Sequence, residues 1–246
     1  MIDLSAARKI DRSKFFRHRS DYKILKKHLN AQEKVPTRIL CAGVGNLEEP
    51  TSILATAYQE KMDQGIPTDL SDMIDLDLVE SRPAAEIKTS YSFGSSYGGL
   101  PEAFISDGDK QKLPQGPRKP WFIDRLPEAF ELKDGQYWFA EEVIEASEKA
   151  FQEGSFATRI QDFLRTSTTP YQAIFLNNVV QHLGEEGPQV AEDLTKKLLD
   201  KDGLVFLHIA RDLSDIKSIL GTSDLINGNP QFSHLVRVGP AVYRRN

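Results

Sequence analysis

The sequence predicts an α/β fold: a mostly parallel, doubly wound sheet with helices on both faces and an antiparallel strand pair at its C-terminal end. Three observations predict it. Short apolar runs recur at Arg38-Ile39-Leu40-Cys41-Ala42, Ala173-Ile174-Phe175-Leu176 and Leu204-Val205-Phe206-Leu207-His208-Ile209. Runs this short and continuous read as strands buried on both faces. Amphipathic helical stretches alternate with them, the order that builds a parallel sheet by crossover connections. Finally, 246 residues with 39% hydrophobic and 27% charged side chains suit one α/β domain or two small ones with a real core.

Taken in order, Ser13 to Asn30 reads as one or two short helices. Phe15, Phe16, Tyr22, Ile24, Leu25 and Leu29 are its apolar residues, and the Lys, Arg and His residues are its solvated face. The first strand is bounded by Pro36 and Gly43-Val44-Gly45. Asn46 is placed to cap the next helix, with Glu49 as capping-box partner and Pro50 in the first turn. Ile53, Leu54, Ala57 and Tyr58 carry the apolar stripe toward Gly65. Ser71 to Leu78 is the second strand, with Asp75 and Asp77 at its end. From Glu80 to Lys119 Gly and Pro are frequent, and the stretch is too long for an ordinary connection. An irregular insertion over about residues 80–140 is expected. Phe139 to Gly154 reads as a helix, Phe156 to Ile160 as a strand, and Gln189 to Leu199 as a helix closed by Asp202-Gly203. Leu213 to Leu220 reads as a helix, and Phe232–Val238 with Ala241–Arg244 as the closing antiparallel pair. Residues 1–35 are thus an N-terminal helical segment and residues 36–246 a Rossmann-like domain.

Composition narrows the function. The chain has 31 basic and 36 acidic residues, a net charge of −5, which argues against a general nucleic-acid binder. A single cysteine, Cys41, precludes an intrachain disulfide and a cysteine-based zinc site. No His/Asp/Glu spacing points to a metal. Met1 to Ser20 lacks an apolar signal core, and no apolar run approaches the roughly 20 residues that span a bilayer. The expectation is a cytoplasmic protein without membrane insertion.

In a doubly wound sheet, ligands bind beyond the carboxyl ends of the strands at the switch point. Gly43-Val44-Gly45-Asn46 is either an ordinary strand-to-helix turn or a loop whose glycines admit a ligand close to the backbone. Glu48 and Glu49 would repel a pyrophosphate at that helix start, so the loop suits a cationic, phosphate-free ligand better than NAD. Asp75 is a candidate acceptor for ribose hydroxyls, or a turn acid. Asp162 is a candidate for an adenine amino group, with Phe163 on the ring; the alternative is a turn Asp beside a core Phe. Asn177 and Asn178 end a buried strand and would line the cleft. Together these ends describe a pocket for a nucleoside with a cationic tail, which S-adenosylmethionine (SAM) fits. His182 is a candidate general base or a polar residue heading the next helix. His208 and His234 lie in strand candidates and read as structural.

The chain resembles the CheR-type family, the SAM-dependent protein-glutamate methyltransferases of bacterial chemotaxis. Ser13-Lys14-Phe15-Phe16-Arg17 resembles its T-x-F-F-R motif, and Ala42 to Ser52 resembles G-C-S-T-G-E-E-P-Y-S. Ile74-Asp75-Leu76-Asp77 resembles T-D-I-D, Gln161-Asp162-Phe163-Leu164 sits where the family has D/N-L, and Ile174 to Val180 resembles I-F-C-R-N-V-L. The closing Ala241-Val242-Tyr243-Arg244-Arg245 resembles G-x-Y-R/K. The resemblance implies a class I methyltransferase fold. It implies cofactor contacts at Arg17, Gly43, Gly45, Glu49, Asp75, Asp162, Phe163 and Asn178, with Arg17 on the methionine carboxylate and Glu49 toward its amino group. Asn177 stands where the family has Arg, and His182 near where it has Tyr, so these two are the candidate catalytic positions. Leu47 replaces the Gly before E-E-P, and most of the family's N-terminal helical domain is missing.

Three functions follow as expectations. The first is SAM-dependent methyl transfer, releasing S-adenosylhomocysteine (SAH), to a carboxylate, hydroxyl or amine of a protein or small molecule. The second is a catalytically degenerate SAM- or SAH-binding module that acts through a protein partner. The third is an NAD-dependent oxidoreductase, disfavoured by Glu48 and Glu49.

Overall fold

The computed structural model describes residues 16, 19–31, 36–87, 91–94, 122–133, 136–177, 179–208, 226 and 229–246. The expected helix at 213–220, together with Arg17 and Asn178, lies outside the described residues.

The described residues form a six-stranded sheet flanked by helices, plus a small antiparallel sheet. The chain enters through α1 (Arg19–Ala31), then β1 (Thr37–Ala42), α2 (Glu48–Gln64), α3 (Leu70–Met73) and β2 (Ile74–Val79). β3 (Ser92–Gly94), β4 (Phe130–Lys133) and β5 (Gln136–Phe139) pair in the order β3-β5-β4. The stretch expected to be irregular thus carries an antiparallel sheet of its own. Its β4–β5 pair buries Phe130 and Phe139 directly opposite each other. Then come α4 (Glu141–Glu153), α5 (Ile160–Thr166), β6 (Tyr171–Phe175), α6 (Gly187–Lys197), β7 (Leu199–Phe206), β8 (Leu235–Gly239) and β9 (Val242–Arg245).

The main sheet runs β2-β1-β6-β7-β9-β8, parallel from β2 to β7 and antiparallel at β9 and β8. Successive strand residues point to opposite faces, and the core divides accordingly. Ile39, Cys41, Ala173, Phe175 and Phe206 pack on one face with Tyr22 and Leu25 of α1, Ile53 and Leu54 of α2 and Val143 of α4. Leu40, Ile174 and Val205 pack on the other with Ile160 of α5 and Val190, Ala191 and Leu194 of α6. Both faces are therefore covered, as a parallel sheet requires. Among the described residues, no helix is long and apolar enough to cross a membrane.

Several local expectations change; the Asp202-Gly203 pair, for one, lies within β7 and not in a turn after the helix. The 156–160 strand shrinks to one parallel bridge between Ser155 and Val79, and the chain turns into α5 from Ile160. Asn46 does not cap α2. That place falls to Leu47, in the left-handed region at φ 67°, with no side-chain cap, while the Glu48 carboxylate accepts from the Asn46 N–H at 2.8 Å. The second strand starts only at Ile74, because Leu70–Met73 form a helical turn.

Candidate functional site

After β1 the chain passes through α2 to β2 on one side, and the later strands add on the other side, beginning with β6. The switch point therefore lies between β1 and β6, and the crevice opens beyond Ala42 and Phe175.

The loop leaving β1 turns sharply there. Gly43 and Gly45 have φ of +74° and +60°, and the Gly43 N–H donates to the Val79 carbonyl at 2.8 Å. A Cβ on Gly43 would sit 2.6 Å from Val179 Cγ2, so this turn nests against the loop leaving β6. Gly43→Ala is expected to lower stability by about 1–2 kcal/mol for the left-handed backbone alone, and further because the β6 loop must shift. Gly65→Ala is the control: φ is +64° there, but nothing lies within 4 Å of the added Cβ. Urea denaturation of both variants should show the larger loss at Gly43, and equal losses would exclude the close approach of the two loops.

Across the switch point runs a chain of polar contacts. Asn177, 7% exposed, donates through Nδ2 to Glu49 Oε1 at 2.6 Å. Its Oδ1 accepts from the His208 N–H at 3.0 Å, so one amide ties the ends of β6 and β7 to the first turn of α2. His208 Nε2 lies 2.9 Å from the carboxylate of Asp21 in the first turn of α1. Cys41 Sγ stands 3.9 Å from Glu49 Oε2. Burial pushes the Cys41 thiol well up, and the Glu49 charge adds to it. Burial likewise raises the Tyr22 phenol, with Glu49 and Asp21 adding, against a hydrogen bond with Ser52. Ser52 Oγ also accepts from the Phe16 N–H at 3.0 Å, which fastens the N-terminal segment to α2 beside the crevice.

At the end of β2 the acid is Glu80, 7% exposed. Its Oε1 accepts from the Arg82 N–H and the Ser81 hydroxyl, each at 3.2 Å, and its Oε2 pairs with Arg82 Nη2 at 3.1 Å. Arg82 also donates to the Gly45 carbonyl, linking this acid to the β1 loop. Burial raises the Glu80 carboxyl, but the Arg82 hydrogen bonds and charge outweigh it and leave the group below its ordinary value of 4.5. A depressed folded-state value gives stability that is complete above the unfolded-state value and is lost as pH falls through the folded one. Wild type is therefore expected to lose stability on acidification below about pH 4.5. Arg82→Met should flatten that limb in denaturation curves taken from pH 6 to pH 3. An unchanged limb would rule out the Arg82 contribution.

The crevice brings together Gly43, Gly45, Glu49 and Asn177 of the residues expected from sequence. Asp75 is corrected: it sits at the start of β2, opposite Arg38 in register, with Arg38 Nε 2.7 Å from Asp75 Oδ2. Asp77 follows on the same face and takes Arg38 Nη2 at 3.0 Å and the Tyr171 hydroxyl at 2.6 Å. Both acids belong to an ion-paired cluster at the amino end of the sheet, away from the crevice. Asp162 does not follow a strand. It lies in the first turn of α5, half-exposed and 3.2 Å from Arg165, while Phe163 packs against the second core cluster. His182 is exposed within the 3-10 segment Val180–Glu186 that follows β6. His208 is not in a strand but two residues past β7.

Sequence reasoning missed Glu80, Asp21 and His208. Glu80 was detectable as the first acid after the apolar Leu78-Val79, which is where a buried strand has to stop. Asp21 carries no local signal, because its partner lies 187 residues along the chain. Among the described residues, no group of three His, Cys, Asp or Glu side chains is placed to hold a metal ion. Comparison with protein-family models and with curated protein sequences gave no match to this chain.

Proposed function

We propose that the chain is a SAM-dependent methyltransferase of CheR-like type, with a Rossmann-like class I methyltransferase domain. One observation carries the reading: the Glu49 carboxylate is held by Asn177 across the switch point, in the first turn of the helix that follows a two-glycine turn. A carboxylate there fits an ammonium and repels a phosphate. Glu48 strengthens the selection, since its carboxylate already occupies the Asn46 N–H that an anion would use. NAD is disfavoured on the same ground.

Glu80 takes the part expected of Asp75, as acceptor for ribose hydroxyls at the end of β2. The sharp turn at Gly43 lets a nucleoside approach the backbone. The antiparallel β9, inserted between β7 and β8, supports the class I assignment. When bound, SAM supplies a sulfonium-activated methyl group, and the chain's own residues bind, orient and desolvate. Asn177 acts as a positioning residue, because both ends of its amide are committed to Glu49 and to the His208 backbone. It supplies no cation in place of the family Arg, the one observation favouring the second reading, a binding module without turnover. A cytoplasmic location belongs to the same proposal.

The test is isothermal titration of the purified chain with SAM, SAH and NAD. Micromolar binding of SAM or SAH without NAD is the expected result. Absence of binding by both SAM and SAH would overturn the assignment.

A further inference from the structure

We propose that His234 is an acid-sensitive latch: neutral, it fastens the start of the β8–β9 hairpin to α6, and on gaining a proton it lets that attachment go. The latch lies at the amino end of β7, the end of the sheet opposite the crevice, and is independent of the proposed cofactor. His234 immediately precedes β8. Its Nε2 lies 2.9 Å from Oγ1 of Thr195, a completely buried residue in the last turn of α6. The Thr195 hydroxyl has a single proton and turns it back onto its own helix, where the Ala191 and Glu192 carbonyls stand 2.9 and 3.0 Å away. Its oxygen is left to accept, so Nε2 carries the ring proton and donates it to Thr195. The other ring nitrogen, Nδ1, is buried and has no hydrogen-bond partner. A lone pair there costs one missed hydrogen bond. A proton there would add a buried positive charge to that cost.

The surroundings favour the neutral ring. Burial lowers His234 from its ordinary value of 6.5, and Lys196 of α6 and Arg245 of β9 lower it further. The Glu192 carboxylate and the Gln231 carbonyl oppose them more weakly. Both cations are held in place, Lys196 by Glu192 and Arg245 by the Leu199 carbonyl. The same stretch of chain meets α6 a second time through Gln231 Nε2, which donates to Glu192 Oε2 at 2.6 Å. Phe232, 1% exposed, sits in the second core cluster with its ring 6.3 Å from that of His234. A ring with a lower value folded than unfolded gives stability that is complete above the unfolded value, about 6.5, and is lost as pH falls through the folded one. The protonated ring, only half-buried, reaches water by turning away from Thr195, and that movement undoes the attachment.

The test compares wild type with His234→Gln, which keeps an amide donor for Thr195 and does not titrate. Urea midpoints of both full chains are measured from pH 8 to pH 5. His28 is lowered by burial as well, so the quantity read is the difference between the two proteins. The wild-type midpoint minus the variant midpoint is expected to fall as pH drops below about 6.5. Amide exchange, corrected for its intrinsic pH dependence, gives the local readout. The N–H groups of Ser233 and Asn246 donate to the Pro230 and His234 carbonyls, and their protection should fall relative to that of β1 over the same range, in wild type only. A midpoint difference that stays constant or grows on acidification overturns the proposal, and so does protection that changes in parallel at these amides and β1. If His234→Gln fails to fold, NMR titration of the wild-type ring decides: a midpoint below 6.5 is expected, and one at or above 6.5 overturns the latch.

Discussion

Replacing Glu49 with Gln is expected to weaken SAM and SAH binding by roughly 10- to 100-fold, while the melting temperature stays nearly unchanged. The substitution keeps shape and keeps an acceptor for Asn177 Nδ2, which donates at 2.6 Å. What it removes is the charge that, under the proposed function, would face the ammonium of SAM. A hydrogen bond to a charged group contributes about 1.5–3 kcal/mol, and each 1.4 kcal/mol is about tenfold in affinity. Stability should fall little, because the substitution preserves the side chain's shape and its hydrogen bond with Asn177. Calorimetric titration and thermal denaturation of the same sample separate the two effects. Wild-type affinity in the variant would mean that the pocket lies elsewhere.

Phe16→Ala is expected to destabilise the protein by about 3–5 kcal/mol, the usual range for a large aromatic removed from a packed core. Phe16 is 2% exposed. Its ring stacks on Phe122 at 4.5 Å and meets Tyr22 edge-on at 5.0 Å and Phe130 at 6.1 Å, so it joins α1 to the segment inserted after β2. Its φ of 53° is in the left-handed region, a conformation that only strong surrounding contacts maintain in a bulky residue. Truncation keeps that backbone and deletes the contacts that hold it. The urea midpoint should fall with the slope unchanged. A loss below about 1 kcal/mol would show that the N-terminal segment is peripheral to the core.

The strands that build the centre of the sheet were readable because a doubly buried strand has to be a short apolar run, whatever surrounds it. β1, β6 and the core of β7 follow that rule, and Gly65 ends α2 in the left-handed conformation that glycine adopts without penalty. The place of Glu48 and Glu49 in the first turn of α2 was readable for a similar local reason, since the glycine turn and Pro50 mark where that helix starts. Asp75 was misjudged because the alternation of Ile74, Leu76 and Leu78 with two acids says which face the acids occupy, but not at which end of the strand they fall. Only the register with β1 decides that, and it sets Asp75 beside Arg38.

What the sequence determined by itself was therefore the α/β class, the core strands and the first-turn carboxylates, all products of short-range patterning. Tertiary structure alone decided which acid ends β2, what holds Glu49, and that Asp21 meets His208. Those pairs are separated by 128 and 187 residues for Glu49 with Asn177 and Asp21 with His208. Contacts over such distances exist only once the sheet has brought the carboxyl ends of its strands to a common edge. There, burial makes each unpaired polar group costly and so selects its partner.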